Sequence, residues 1–225
     1  MDLKLKVKIK WSPKFAYAIG LIATDGNLSI DGRHIIFTSK DLQLVKLFED
    51  CLRREIGIKK KTRSTEKIKK YFYVQFSDVR FYDFLLGLGI TPRKSKTIGS
   101  IRIPKKFFFD FLRGCFDGDG SFFSYYDPRW PKSFMFYTTF VSASKEFINW
   151  LRKNLKKYIG INGHITQDGN NIAYQLKYAK KESRILIPKL YYRKNLPILK
   201  RKFLKIVTAL RAGGEIGKHA TLRGW

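Results

Sequence analysis

Two aspartates, Asp25 and Asp119, end two copies of one short pattern, and carboxylates are the ligands that hard metal ions prefer. Residues 17–26 are YAIGLIATDG, and residues 111–120 are FLRGCFDGDG. In each copy, one glycine stands five residues before the acid and another follows it directly. Because a repeated segment is often a repeated structural unit, the pattern predicts two related halves that each supply one acid.

An excess of basic residues indicates the kind of partner. The 225 residues include 46 Lys and Arg but only 18 Asp and Glu, which gives a formal net charge of +28. This excess favours a polyanionic partner, although a protein that is merely basic is the simpler alternative. Because 44% of the residues are hydrophobic and 16% are aromatic, the chain is expected to fold. For two similar halves, duplex DNA is the natural candidate.

Hydropathy and cysteine content narrow the class of protein. The sequence has no apolar run of the roughly 20 residues needed to cross a bilayer, so no membrane partner is expected. Cys51 and Cys115 are too few and too isolated for a disulfide framework or a zinc cluster. These features predict an intracellular protein. The choice between a bacterial or archaeal cytoplasm and an organelle stays open.

The same order of elements follows each acid: two strands, a helix, two strands and a short helix. In chain order we expect hairpins at 26–38 and 121–141, helices from Ser39 to 56–58 and from Ser144 to 159–161, second hairpins ending in strands 71–76 and 172–178, short helices at 79–87 and 182–190, and a last helix at 197–212. This order predicts an N-terminal repeat at 1–98, a linker at 99–105, and a C-terminal repeat with a terminal helix and short tail at 106–225.

The doubled motif, the element order and the length together resemble the LAGLIDADG homing endonucleases in their single-chain, two-motif form. The resemblance extends from about Phe15 to Leu210. It implies an α+β fold of two pseudo-symmetric αββαββα repeats. Each repeat would form a curved four-stranded antiparallel sheet with helices on one face, and the repeats would pack through the two motif helices. Small residues would allow that packing, namely Ala16, Gly20, Ala23, Gly114 and Gly118.

The resemblance also implies a metal site in which Asp25 and Asp119 meet near the pseudo-twofold axis. Helix carboxyl ends are partly negative and two acids repel each other, so divalent cations would stabilise the pair. Thr24 and Gly118 complete the expected ligands. The expected ion is Mg²⁺, with Mn²⁺ able to substitute and Ca²⁺ binding without cleavage. The alternative is that both Asp-Gly pairs are only turns that end a helix.

A neighbouring acid and two pairs of lysines are the other candidates at this site. Asp117 precedes the second motif acid, but alignment of the terminal glycines selects Asp119, so a surface or supporting role is expected for Asp117. The resemblance implies that Lys94 and Lys200 stabilise transition-state charge or position the attacking water. With so many basic residues, simple phosphate contacts are an equally good interpretation.

The resemblance further implies that one face of each sheet lies in the DNA major groove. Strand alternation would place apolar side chains toward the helices and polar ones toward the bases. A shift of one residue in the strand register would exchange the DNA-facing and helix-facing side chains. Ser39 and Ser144 either position water or cap a helix. The expected DNA contacts are Asn27, Ser29, Arg33, His34, Ser39, Lys40, Arg63, Lys69, Tyr71, Tyr73, Gln75 and Lys96 in the first half, and Ser124, Tyr126, Arg129, Thr138, Gln167, Asn171, Gln175, Lys177 and Lys202 in the second.

Three functions are compatible with these features. The first is a monomeric, Mg²⁺-dependent endonuclease that makes a staggered double-strand break in a long, non-palindromic DNA site, as in the homing of an intron. The second is an RNA maturase that binds its host intron RNA, or a cleavage-inactive binding protein of the same fold. The third is a basic interaction module whose acids serve only as helix ends.

Overall fold

A computed structural model of the chain describes residues 6–62, 70–167 and 173–213, which form two compact units at 1–118 and 119–225. The boundary lies at the end of the second motif helix, so the expected linker at 99–105 falls inside the first unit. The described elements of the first unit are α1 (Pro13–Asp25), β1 (Gly26–Leu28), β2 (His34–Ser39), α2 (Leu42–Leu52), β3 (Lys59–Lys61), β4 (Tyr71–Ser77), α3 (Val79–Leu88), short 3₁₀ turns at Lys94–Lys96 and Lys105–Phe107, and α4 (Phe108–Asp119), whose last residue begins the second unit.

The second unit repeats the pattern of the first after its motif helix. Its described elements are β5 (Ser121–Asp127), β6 (Trp130–Ser142), α5 (Lys145–Ile159), β7 (His164–Gln167), β8 (Tyr174–Tyr178), α6 (Lys180–Leu190) and α7 (Lys200–Ala212). The expected last helix thus begins three residues later than the sequence suggested, at Lys200 instead of Pro197. The α+β fold of two repeats is confirmed.

Each unit contains a four-stranded antiparallel sheet with one face covered by helices. The strand orders are β1-β2-β4-β3 and β5-β6-β8-β7, so the two sheets have the same topology. Helices α1, α2 and α3 pack on the first sheet, and α5, α6 and α7 pack on the second. On the first sheet, Leu28, Ile35, Phe37, Val74 and Phe76 are buried on the helix-facing side. We call the opposite side of each sheet its outer face.

Helices α2 and α5 each follow the first hairpin of their unit and start in the same way. The two serines expected to cap them, Ser39 and Ser144, do not occupy equivalent positions. In the second unit Ser144 caps α5, as expected, because its Oγ accepts from Phe147 N at 3.3 Å. In the first unit the cap is Asp41, whose Oδ1 accepts from Gln43 N at 3.0 Å. Ser39 instead accepts from Asp41 N at 3.1 Å, as Ser142 does from Ser144 N at 3.1 Å. Ser39 therefore corresponds to Ser142.

The first repeat also departs from the second at the end of this helix. Helix α5 continues to the Ile-Gly-Ile segment as expected, and Gly160 ends it with a positive φ of 71°. Helix α2 ends earlier, at Leu52, and the expectation that it runs to residues 56–58 is wrong. Arg53 takes the left-handed conformation there, with φ of 52°, and its N–H bonds to helix carbonyls. The left-handed residue ends α2 before the chain reaches the Ile-Gly-Ile segment at 56–58.

Candidate functional site

The two motif helices contact each other through glycines, as the resemblance implied. A methyl group added to Gly20 would lie 2.9 Å from both Cys115 N and Gly114 Cα, and one added to Gly114 would lie 3.1 Å from Leu21 N. These are backbone atoms, which no side-chain rotation can move away. The absence of a Cβ at both positions therefore allows α1 and α4 to cross backbone to backbone.

This crossing brings the end of α4 against the acid of the first motif. Asp25 is half-buried at the last position of α1, and Asp119 is exposed at the last position of α4. A methyl group on Gly118 would lie 3.0 Å from Asp25 Oδ2 and 2.9 Å from Thr24 Cβ. The glycine before the second acid is thus needed for space beside Asp25.

Lys94 holds the backbone on both sides of Asp25. Its side chain is 95% buried, and its Nζ donates to Gly26 O at 2.5 Å and to Thr24 O at 3.2 Å. An ammonium group at the end of α1 opposes the partial negative charge of the helix carboxyl terminus. The carbonyls also replace the water that the buried ammonium loses. Lys94 therefore fixes the position of the acid-bearing turn.

In the second unit, Lys202 rather than Lys200 makes the matching contact. Lys202 Nζ donates to Gly120 O at 2.6 Å, and Gly120 is the counterpart of Gly26 in the repeated motif. Lys200 and Lys96 are exposed, at the start of α7 and in the first 3₁₀ turn. The two Lys-x-Lys pairs thus use different members: the first lysine in one half and the second in the other.

Thr24 and Asp117 make hydrogen bonds within the protein. Thr24 Oγ1 donates to Leu21 O at 3.1 Å, and its carbonyl accepts from Lys94. The role of Thr24 as a metal ligand stays a prediction. Asp117 is fully buried, which excludes the surface role and leaves the expected supporting role. Its Oδ2 accepts from Tyr17 Oη at 2.7 Å, which joins α4 to α1.

The Tyr17–Asp117 bond belongs to a buried polar cluster between the motif helices. The Arg113 guanidinium lies over the Tyr17 ring, 5.5 Å from its centroid, and pairs with Asp110 at 2.9 Å. Burial, followed by the negative charge of Asp117, raises the pKa of Tyr17 well above its usual value. The phenol therefore stays protonated and serves as a donor. A cluster of this kind fixes one register of α1 against α4.

The outer face of the first sheet holds most of the expected DNA contacts of that half. By register, Asn27, His34, Tyr73 and Gln75 share this face with Lys59 and Lys61. Tyr71 shares it too, with the Lys40 ammonium 5.3 Å from its ring centroid. Ser39 instead shares the helix-facing side with Phe37. Ser29 and Arg33 flank the turn between β1 and β2, and Arg63 and Lys69 lie outside the described residues.

In the second sheet, four expected contacts lie on the opposite face from the one assigned. Ser124, Tyr126 and Thr138 are on the helix-facing side, with Thr138 fully buried, and Gln167 shares their side by register. The segment FFSYYD has aromatic residues in both alternations, so its pattern does not fix the register. Gln175 and Lys177 lie on the outer face as expected. Arg129 lies in the β5–β6 turn, and Asn171 is outside the described residues.

The donor set at the motif ends fits a hard divalent cation. Among the described residues, no group of three or more His, Cys, Asp and Glu could hold a metal ion. One carboxylate at each helix end is instead the kind of ligand that Mg²⁺ takes when phosphate oxygens and water complete its shell.

Solved structures share this fold at low sequence identity. I-SmaMI bound to uncleaved DNA in the presence of calcium ions is 16% identical, with a TM-score of 0.62, over 96% of this chain and 95% of that one. I-LtrWI, a LAGLIDADG homing endonuclease bound to target DNA, is 11% identical, with a TM-score of 0.58, over 94% and 93%. Full-length DUF199/WhiA from Thermatoga maritima is 18% identical, with a TM-score of 0.52, over 95% and 69%.

No curated protein matches the chain in sequence. Within the part of the chain that the structure describes, no helix is both long and apolar enough to span a bilayer. The LAGLIDADG-like domain family matches residues 12–102 and 107–189, which include both motif helices and both sheets. The chain is therefore a member of the LAGLIDADG-like family, with both of its repeats present.

Proposed function

We propose that this protein is a site-specific DNA endonuclease that makes a staggered double-strand break in a long, non-palindromic target. One observation carries the proposal. At the end of each motif helix, a lysine ammonium donates to the carbonyl of the glycine that follows the acid, at 2.5 Å for Lys94 and 2.6 Å for Lys202. The same contact therefore holds both acid-bearing turns, as two matched metal-binding carboxylates would need.

Each acid-bearing turn has the charges that phosphodiester hydrolysis requires. Asp25 and Asp119 would hold Mg²⁺, or Mn²⁺ in its place, and a bound divalent ion supplies activation of water and stabilisation of the leaving oxygen. The lysines are proposed to act through the acid-bearing turns, because their ammonium groups donate to backbone carbonyls there. We assign Lys94 and Lys202 as positioning residues that keep each carboxylate in place.

The outer faces of the sheets are proposed to contact bases, and the basic surface to contact phosphates. The two faces carry different side chains at almost every matched position, so they would recognise different half-sites. A single chain with two unlike halves would therefore prefer an asymmetric target and act as a monomer. Much of the affinity of such a basic protein would come from phosphate contacts and fall with salt.

The experiment that tests the proposal is cleavage of a randomised duplex library with Mg²⁺, with Ca²⁺ and with EDTA, followed by sequencing of the cut ends. We expect one long asymmetric site that is cut with Mg²⁺ and bound without cleavage in Ca²⁺. Asp25→Asn and Asp119→Asn should abolish cleavage and retain binding. Asp83→Asn, which changes an exposed acid on α3, is the matched control and should cut normally.

The lysine assignment has its own test. Lys94→Met and Lys202→Met should raise the Mg²⁺ concentration needed for half-maximal cleavage while leaving DNA affinity in Ca²⁺ nearly unchanged. Lys200→Met should lose only the salt-dependent affinity of one phosphate contact. Equal Mg²⁺ dependence in Lys202→Met and Lys200→Met would reject the positioning role.

Binding without cleavage in any metal would overturn the endonuclease proposal. It would indicate a nucleic-acid-binding protein of the same fold, and structured intron RNA would be the next ligand to test. No binding to any nucleic acid would leave a basic interaction module.

A further inference from the structure

Three aromatic rings form a row on the outer face of the second sheet, and we call this row the aromatic ladder. Phe123 and Tyr125 lie on β5, and Tyr137 lies opposite Phe123 on β6. The ring centroids are 5.0 Å apart for Phe123–Tyr137, 6.4 Å for Phe123–Tyr125 and 6.5 Å for Tyr125–Tyr137, with interplanar angles of 10° or less. Phe123 and Tyr125 are each 39% exposed.

The geometry of the ladder determines which ring surfaces a ligand could meet. The 5.0 Å separation of Phe123 and Tyr137 is close to the spacing of neighbouring strands, about 4.8 Å. Rings stacked across two strands at this distance have their planes along the strands, so they present edges outward. Their facing surfaces already contact each other. A single-stranded base, which needs an open ring face, is therefore a poorer fit than a surface that meets ring edges.

The ladder also offers little hydrogen bonding. Phe123 has no polar side-chain atom. Desolvation, followed by the charge and hydrogen bond of the Tyr137 hydroxyl, raises the pKa of Tyr125. The two tyrosine hydroxyls are therefore close enough to influence each other. Met135 and Val141 extend the same face of β6 with further apolar side chains.

The first sheet has a different outer face. Because Gly26 matches Gly120 and Ser39 matches Ser142, Ser29 and His34 of the first sheet stand where the second sheet has Phe123 and Tyr137. Asn27 and Gln75 lie elsewhere on that first outer face. Side-chain amides can bond adenine through two atoms in the major groove. The ladder is therefore an apolar patch at the place where the first sheet has a hydroxyl and an imidazole.

We propose that the aromatic ladder recognises thymine methyl groups in the major groove of duplex DNA, so that the half-site facing the second sheet is rich in thymine. This inference rests on the proposed function. The C5-methyl of thymine is the apolar group that the four base pairs present in the major groove. Lys177 and His164 lie on the same outer face, and the net charge of +28 favours a polyanion over an apolar partner.

The test removes methyl groups without changing base pairing. The target selected from the library is synthesised with deoxyuridine in place of thymine, one half-site at a time, and affinity is measured in Ca²⁺. Each thymine methyl that the ladder contacts should increase DNA affinity about fourfold. Removal of three such methyls together should therefore weaken binding about 60-fold. Substitution in the other half-site should change affinity less than twofold.

The variant Phe123→Ser should bind the thymine and deoxyuridine targets with nearly equal affinity. The matched control is Leu86→Ser, since Leu86 is also 39% exposed but lies on α3, away from either outer face. It should keep the full thymine preference. Thermal melting of both variants shows whether each still folds.

Three results would distinguish a failure of thymine recognition from a failure of the proposed endonuclease function. A protein that cuts its selected site but binds thymine and deoxyuridine duplexes equally would overturn the inference and leave the endonuclease intact. A dimer in sedimentation that Phe123→Ser dissociates would also overturn it, because a second copy of the chain would then occupy the ladder. Failure to bind any duplex would reject both proposals.

Discussion

Replacing Gly20 with alanine would place a methyl group within the backbone of the facing helix. The added carbon would lie 2.9 Å from Cys115 N and from Gly114 Cα, where an ordinary contact is 3.4–4 Å. Both neighbours are main-chain atoms of α4, so relief requires the helices to separate. Separation would also disturb the Tyr17–Asp117 hydrogen bond, which needs its 2.7 Å distance.

Two opposing effects determine how much stability Gly20→Ala loses. Forcing an extra carbon into a packed core costs about 1–3 kcal/mol, and the backbone contacts place Gly20 at the upper end of that range. Alanine is better than glycine in a helix by about 1 kcal/mol. We therefore expect Gly20→Ala to lower the free energy of unfolding by roughly 2 kcal/mol, from the difference between these effects.

The chain contains a matched control for this substitution. Gly87 lies within α3, and a methyl group there would have no neighbour within 4 Å. Gly87→Ala should therefore stabilise the protein by up to about 1 kcal/mol through helix propensity alone. The measurement is guanidinium denaturation of both variants beside the wild type. If Gly20→Ala proves as stable as Gly87→Ala, the backbone-to-backbone crossing is refuted.

Three further predictions concern buried groups and surface charge. Tyr17→Phe should cost about 1–3 kcal/mol in guanidinium denaturation, because buried Asp117 loses its donor; an unchanged midpoint would contradict the bond. Burial raises the pKa of the Cys51 thiol from 9.0 to about 12. The stability that the protonated thiol contributes to the folded state is therefore complete below pH 9 and is lost as the pH rises toward 12. Wild-type stability should fall above pH 9 more steeply than that of Cys51→Ala, by up to about 1.4 kcal/mol per pH unit, and parallel curves would refute the assignment. Lys96→Met should reduce the slope of log K against log salt by about 0.9 if Lys96 contacts one phosphate, and an unchanged slope would exclude that contact.

The repeated motif carried enough information to predict the fold. Its glycines, its acids and the order of elements after each copy led to the two-repeat α+β architecture, which the structure and the family match confirm. Hydrophobic periodicity and turn residues act locally, so they can be recognised along the chain. The contact between the motif helices was implied by the family resemblance, and the small residues were consistent with it.

The site depended more on tertiary structure. The sequence contains two Lys-x-Lys pairs, but only the fold selects Lys94 in one half and Lys202 in the other. Lys94 lies in a 3₁₀ turn and Lys202 on α7, so the two pairs reach their glycines from different kinds of element. The catalytic roles of the acids stay predictions.

What the sequence alone determined is therefore the repeat and the acid that ends each copy of it. Only the tertiary structure decided the faces of the second sheet, where Phe123 and Tyr125 point outward and Ser124 and Tyr126 inward. The physical reason is that both alternations of that strand are aromatic, so its own pattern leaves the register open. Pairing with β6 and packing of α7 against β5 then fix it.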